Sequence, residues 1–590
     1  MRGGVESLLQ SSAVIQPTNP LIVQSDRSLL LEVHNPLFEP ARMALSPFAE
    51  LEKSPEHVHS YRITPLSLWN AAAAGVSAAS MAATLMRFAK YPVPENVLAD
   101  IRDLAARWGR VRLLRSDGNL VLASDDEALL VELARHSAVK PYLGPAAGVG
   151  TAGPLADGSL RAAESDTLPG DRIPNHRIVV PIRYRGLLKQ ALTNIGWPVE
   201  DLAGYQTGGA LDLTLRLDAF RVRDYQTEAA DAFYAGGSAR GGSGVIVLPC
   251  GAGKTIVGLV AMAHVRQCTL IITTSRTSAQ QWRRELVEKT TLQPEQIVEY
   301  SGQGGDMGGV TLTTYQMLTY RPNKTDSFPH LGVFDAQDWG LIIYDEVHTL
   351  PAPVFRATAE IQARRRLGLT ATLVREDGRE ADVFSLIGPK KYDVPWRDLE
   401  NRGWIAEAAC TEVRCQLLRD ERWRYATAAP REKFRIASES SVKLALTQRV
   451  LALHPNAPTL IIGQYIEQLE RIAATLGAPL VTGKTAQRER DALYGRCRTG
   501  EQRLLVLSKV GNFALDLPDA EVLVQVSGTF GSRQEEAQRL GRVLRPKRGR
   551  PAHFYTLVSR ETEEETFAHH RQLFLTEQGY AYRIVDEEEL

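Results

Sequence analysis

Beyond residue 220, short and nearly unbroken runs of Val, Ile and Leu alternate with stretches of helical apolar spacing. Such runs lack the in-out alternation of a half-solvated strand, so they predict parallel strands covered by helices on both faces. The candidate strands are GVIVLP, TLIITTS, VTLTTY, LIIYDE and LGLTA, followed by TLIIGQ, APLVTG, RLLVLS, EVLVQVS and HFYTLVS. A break near residues 395–455 divides them into two successive α/β sets.

Upstream the pattern changes. RITPLSLWNAAAAG, SAASMAATLMRFA and PENVLADIRDLAARWG each repeat apolar residues at helical spacing, and Thr64 precedes Pro65 as a helix N-cap does. VRLLRSDGNLVLAS then places two strand-like runs around Asp117 and Gly118, a hairpin signal. Three helices and a hairpin predict a winged-helix-like module. Its third helix mixes Asp100, Arg102, Asp103 and Arg107, which leaves DNA contact, protein contact and internal packing all open. Residues 143–172 are rich in Gly, Ala, Ser and Pro and read as a linker. HRIVVPIRYRGLLKQALTNIGWP reads as a strand followed by a helix, a small αβ module. The predicted division is an N-terminal domain over 1–142, the linker, the module over 173–215, and α/β domains over 216–395 and 396–590.

Composition adds limits rather than a function. A chain of 590 residues exceeds a single core, and its 44% hydrophobic and 23% charged residues are ordinary for folded domains. Lys plus Arg and Asp plus Glu are both 69, so a nucleic-acid surface has to be a local feature. The five cysteines are scattered with no C-x-x-C pair, which predicts a reducing compartment without structural zinc or an iron-sulfur cluster. With no signal-peptide pattern and no apolar run near the ~20 residues that span a bilayer, the expected setting is cytoplasmic and nucleoid-associated, with no membrane partner.

Three motifs carry the chemistry. GVIVLP runs into Cys250, Gly251, Ala252, Gly253, Lys254 and Thr255 and then into a helical stretch. That order suits a triphosphate: glycines admit close backbone approach, helix N–H groups face the phosphates, a lysine meets the β/γ phosphates, and a hydroxyl meets Mg²⁺. Leu248 stands where the strict phosphate-loop pattern has its first glycine. LIIYDEVH carries Asp345 and Glu346 at the end of a buried-looking strand, where adjacent carboxylates call for a cation. Asp345 is expected to hold Mg²⁺, and Glu346 to orient and deprotonate the attacking water. QEEAQRLGRVLRP sets Gln538, Gly541, Arg542 and Arg545 on one helix face, two arginines positioned to meet a transferring phosphate.

In this order the motifs resemble those of superfamily-2 helicases, and among them the XPB-like family, over roughly residues 215–590. FRVRDYQTEAA resembles the Q motif, LPCGAGKT motif I, LIIYDEVH motif II, LGLTAT motif III, SKVGNFALDLPDA motif V and EEAQRLGRVLRPK motif VI. TATLVREDGRE carries Arg375, Glu376 and Asp377, similar to the RED motif tied to unwinding in XPB relatives. YRITPLSLWNAAAAG resembles the N-terminal module of bacterial members, and the module near 176–205 falls where the family has a damage-recognition domain.

The resemblance implies two tandem RecA-like domains behind an N-terminal α+β region, and an ATP- and Mg²⁺-dependent 3′–5′ DNA helicase or translocase serving nucleotide-excision-type repair. A double-strand translocase that does not separate strands is the alternative. The resemblance further implies adenine recognition by Arg223 and Gln226, and coupling of ATP to the second domain by Gly511 and Asp516. His348, Thr370 and Thr372 would link hydrolysis to movement, while Arg276, Gln281, Thr313, Thr314 and Tyr315 would touch a DNA strand. RDERWRYATAAPREKFR, within a thumb-like insertion near 415–445, combines six cationic residues with Trp423, Tyr425 and Phe434. It suits a strand-gripping element or, because Asp420, Glu421 and Glu432 interrupt it, a solvated helix. DNA is the expected partner, with a nuclease or repair protein as a further one.

Overall fold

The computed structural model describes residues 15–53, 57–116, 119–143, 150–151, 176–218, 220–249, 251–300, 302, 307–323, 328–362, 364–371, 379–394, 399, 402, 404, 408–508, 520–528, 552–577 and 581–590. They fall into two compact units, Met1–Val247 with Thr255–Asp393, and Leu248–Lys254 with Val394–Leu590.

Each unit holds one seven-stranded, all-parallel sheet. In the first, the spatial order is Ile297–Glu299, Val310–Thr314, Thr269–Thr273, Leu341–Asp345, Arg365–Thr370, Ser243–Val247 and Lys390–Asp393. In the second it is Leu480–Val481, Leu504–Leu507, Thr459–Ile462, Val522–Gln525, Ala552–Ser559, Ala408–Cys415 and Ala581–Asp586. These are the two tandem RecA-like domains. All ten predicted strands are present. Their central residues are buried on both faces, as Leu270, Ile271 and Ile272 are in one sheet and Val522, Leu523 and Val524 in the other. That is why their sequences are uniformly apolar.

The N-terminal region packs onto the first of these domains. An antiparallel sheet in the order Leu21–Val23, Ser28–Glu32, Val58–Arg62, Glu50–Lys53 leads into three helices, Pro65–Ala73, Ala78–Phe88 and Glu95–Ala105. Thr64 caps the first helix: its Oγ1 accepts the Ser67 N–H at 3.0 Å and the Ser67 Oγ accepts the Thr64 N–H at 3.0 Å, a reciprocal box. Strands Val111–Ser116 and Asn119–Ser124 pair antiparallel as the hairpin pattern predicts, with the turn Asp117–Gly118 outside the described residues.

This hairpin is not a free wing. His176–Val180 pairs with Asn119–Ser124, and Val199–Asp201 with Val111–Ser116, so the segment beyond the linker completes one five-stranded sheet. Helix Arg185–Asn194 lies between that sheet and the first RecA-like domain. A Cβ at Gly186 would fall 2.4 Å from the Ala359 carbonyl oxygen, so only glycine allows the backbones to approach this closely. Asp201 accepts from Arg185 at 2.7 Å and from Lys189 at 2.9 Å. Burial alone would raise the Asp201 carboxyl, but the two cations hold it well below the usual carboxylate range. Phe384, beyond the Arg375–Asp377 segment, lies 6.2 Å from Trp69 and 5.7 Å from Trp108 between ring centroids.

In the second unit, helices Arg419–Thr427 and Pro430–Ser438 occupy the thumb-like segment. Glu421 draws the first helix in by accepting from Ser440 and Ser441 at 2.7 and 2.8 Å. Trp423 is 73% exposed, and Lys433 lies over the Tyr425 ring at 5.4 Å. Phe434 is buried against Phe567, which assigns it to the core rather than to an aromatic surface. Among the described residues no helix is long and apolar enough to cross a membrane, and no group of three or more His, Cys, Asp and Glu converges as a metal cage.

Candidate nucleotide site on the first RecA-like sheet

The strand Ser243–Val247 delivers the phosphate loop at the carboxyl edge of its sheet. Leu248 is fully buried, so the position that carries glycine in the strict motif serves here as core. Gly251 and Gly253 have φ of 81° and 82°, conformations that side-chain-bearing residues rarely adopt. Helix Lys254–Val265 begins at the motif lysine, so its first N–H groups open toward the loop as a phosphate cradle requires. Cys250 lies outside the described residues.

Asp345 ends a strand two places away in the same sheet. Register sets Asp345 level with Leu369, and Leu369 level with Ile246, while Val247 is level with Thr370. At roughly 4.8 Å per strand, Asp345 thus stands about 10 Å across the sheet from the strand that feeds the loop. Strand carboxyl ends gathered along one edge are where open α/β sheets bind ligands. Asp345 is half-buried at that edge, and a carboxylate of this kind fits Mg²⁺ held by few protein oxygens and by phosphates.

The residues around Asp345 and Glu346 are tightly fixed. Trp282 Nε1 donates to Asp345 Oδ2 at 3.0 Å, and the Tyr315 hydroxyl donates to the Asp345 carbonyl at 2.9 Å. Glu346 has φ 51°, ψ 53°, a left-handed conformation held by two bonds to its carbonyl, from the Thr349 N–H at 2.9 Å and the Thr349 Oγ1 at 2.8 Å. His348 is buried, with Nδ1 2.6 Å from Thr370 Oγ1 and 3.6 Å from Glu346 Oε2. The acidic pair is thereby tied to the strand carrying Thr370.

Gln226 is buried, and its Oε1 accepts the Arg223 N–H at 3.0 Å; Arg223 Nη1 donates to the Tyr225 hydroxyl at 3.1 Å. Of the strand-contact candidates, Arg276 and Gln281 are exposed on helix Arg276–Lys289. Thr313, Thr314 and Tyr315 are buried instead, and Thr314 Oγ1 caps the next turn by accepting the Met317 N–H at 3.1 Å. Thr372, Arg375, Glu376, Asp377, Gly511, Asp516, Gln538, Arg542 and Arg545 lie outside the described residues. Trp282 is the site residue that sequence reasoning missed, since a tryptophan at helical spacing reads as core; its one signal was its place directly after Gln281.

Two parallel RecA-like sheets and a phosphate-loop and acidic-strand edge define the class: a nucleotide-driven motor of the superfamily-2 helicase type. The model of the ERCC3/RAD25/XPB C-terminal helicase matches residues 399–589, that of the type III restriction enzyme res subunit 219–375, and that of a helicase conserved C-terminal domain 21–147. The chain is 52% identical over 573 residues to the DNA 3'-5' helicase XPB of Kineococcus radiotolerans, covering 97% of each chain. It is equally 52% identical to the protein of that name from Mycobacterium tuberculosis, covering 97% of this chain and 98% of that one. With the XPB/SSL2 helicase/translocase subunit of general transcription and DNA repair factor IIH from Saccharomyces cerevisiae it shares 32% identity over 96% of this chain and 72% of the relative. The chain belongs to the XPB helicase family.

Proposed function

We propose that the chain is an ATP-dependent DNA helicase or translocase moving 3′ to 5′ and acting in nucleotide-excision-type repair. The observation that carries this reading is 52% identity over nearly the whole chain to relatives named DNA 3'-5' helicase XPB. The phosphate-loop and acidic strands on one sheet edge support it.

ATP is the substrate, and Thr255 and Asp345 would hold Mg²⁺, which when bound would neutralise charge on the phosphates. Lys254 meets the β/γ phosphates, and Gly251 and Gly253 let the loop backbone approach them. Glu346 takes a proton from the attacking water. From the second domain, Gln538, Arg542 and Arg545 stabilise the charge that develops in phosphoryl transfer. Arg223 and Gln226 read the adenine, with the hydrogen bond donated by the Arg223 backbone N–H to Gln226 Oε1 fixing the amide's orientation. Gly511 and Asp516 couple ATP to the second domain, and His348, Thr370 and Thr372 couple hydrolysis to movement. Arg375, Glu376 and Asp377 serve unwinding. Arg276 and Gln281 hold one DNA strand by their side chains, as does the segment that carries Thr313, Thr314 and Tyr315. The chain works in the cytoplasm at the nucleoid, with a nuclease or repair protein as partner.

The eukaryotic relative's name, helicase/translocase, carries both activities and keeps one alternative in view: a double-strand translocase that hydrolyses ATP without strand separation. A forked duplex with one labelled strand decides between them. ATP-dependent release of the label supports the helicase. DNA-stimulated ATP turnover without release supports the translocase.

A further inference from the structure

Asp345 is held from two directions by aromatic donors, and each comes from a segment read above as a DNA contact. Trp282 follows the exposed Gln281 on the helix that Arg276 begins, and it turns inward, 2% exposed, to donate to the Asp345 carboxylate at 3.0 Å. Tyr315 follows Thr313 and Thr314 and turns inward, 4% exposed, to donate to the Asp345 carbonyl at 2.9 Å. The far edge of the indole meets the phosphate-loop helix, where a Cβ at Gly258 would fall 2.4 Å from Trp282 Cη2. One tryptophan thus touches the helix that follows the phosphate loop and the acidic strand while its own helix presents Arg276 and Gln281 to solvent.

We propose that Trp282 and Tyr315 are positioning residues that carry DNA engagement to Asp345, setting the carboxylate for Mg²⁺ and so producing the DNA-stimulated part of ATP turnover. The proposal rests on the DNA-motor reading and on strand contact by the two segments. A carboxylate oxygen held by an indole N–H has a fixed direction, and a shift of either segment by a few tenths of an ångström changes that direction. Packing alone would not need the indole nitrogen or the tyrosine hydroxyl, which makes the link separable from a structural role.

The test uses the full chain with Trp282→Phe, which keeps a ring against Gly258 and removes the donor, and Tyr315→Phe, which removes only a hydroxyl. ATP turnover is measured with and without a single-stranded oligonucleotide across a Mg²⁺ titration, and DNA affinity by fluorescence anisotropy. Losing a hydrogen bond to a charged group predicts that Trp282→Phe lowers DNA-stimulated turnover about tenfold and shifts the Mg²⁺ midpoint upward. Tyr315→Phe is expected to give a smaller fall of the same kind, and both are expected to keep the parent's DNA affinity. Parental stimulation and Mg²⁺ midpoint in both variants would overturn the proposal, as would a loss of DNA affinity equal to the loss of stimulation. Arg276→Ala with Gln281→Ala separates the two readings: unchanged DNA affinity there overturns strand contact at this helix and the proposal with it, whereas reduced affinity there with parental stimulation in Trp282→Phe overturns only the link to Asp345.

Discussion

Glu346 adopts a left-handed backbone, a conformation that costs a non-glycine residue on the order of 1–3 kcal/mol and persists only where neighbours fix it. Thr349 supplies that fixing through two bonds to the Glu346 carbonyl, and His348 adds a contact to its carboxylate while bonding Thr370. Glu346 and the strand carrying Thr370 are therefore one assembly. His348→Ala or Thr370→Val should keep ATP turnover while lowering strand displacement per ATP by about 2- to 30-fold, the range of a coupling worth 0.5–2 kcal/mol. Parallel ATPase and forked-duplex assays check this, and an equal loss in both would show that the pair serves hydrolysis rather than coupling. His59 gives the N-terminal sheet a pH dependence of its own. Burial, with Arg42 beside it, holds its imidazole down at about 4, below its usual 6.5. The unfolded chain then binds a proton near pH 6.5 that the folded one does not, so His59 favours folding above that pH and loses this contribution as pH falls from 6.5 toward 4. Between pH 7 and 5 the loss is about 2 kcal/mol, read from hydrogen exchange in Val58–Arg62, and His59→Phe should flatten the dependence.

At the scale of elements, the second RecA-like domain is tied by a buried ion pair. Lys443, on helix Val442–Leu453, donates to both carboxylate oxygens of Glu564 at 2.8 Å, and neither side chain is exposed. Glu564 also accepts the Ser559 N–H at 2.9 Å, which joins helix Glu563–Glu577 to strand Ala552–Ser559. Removing one partner strands a buried charge, so Glu564→Gln should cost about 3–5 kcal/mol, while Lys443→Met combined with Glu564→Leu should recover much of it. Urea unfolding followed by hydrogen exchange in Ala552–Ser559 reads both variants. The five-stranded sheet shows where element-level reasoning stops. Its hairpin is visible as two alternating runs, but the pairing of Asn119–Ser124 with His176–Val180 crosses the linker and leaves no local mark in the sequence. Edge strands were missed for another reason. KKYD at Lys390–Asp393 and AYRIVD at Ala581–Asp586 carry charges that an open sheet edge tolerates, so they lack the apolar run that marks a central strand.

Across the whole molecule, what was legible was local: strands buried on both faces, the Thr64 cap, the phosphate loop and the acidic strand end. These patterns are short in sequence and each is explained by the chemistry of its own residues. What was not legible came from distant segments meeting. Thr313, Thr314 and Tyr315 are expected to touch a DNA strand, yet they are buried, and Tyr315 donates to Asp345; Trp282, which no motif marked, donates to that same residue. The N-terminal sheet and helices close on the first RecA-like domain through Phe384 between Trp69 and Trp108, a contact that spans most of that unit's length. The most direct measurement is phosphate release by the full chain with ATP, Mg²⁺ and single-stranded DNA, compared with Lys254→Ala. Loss of the lysine on the β/γ phosphates should abolish DNA-stimulated release, whereas a Lys254→Ala protein that retains full turnover would contradict an ATP-driven motor at this site.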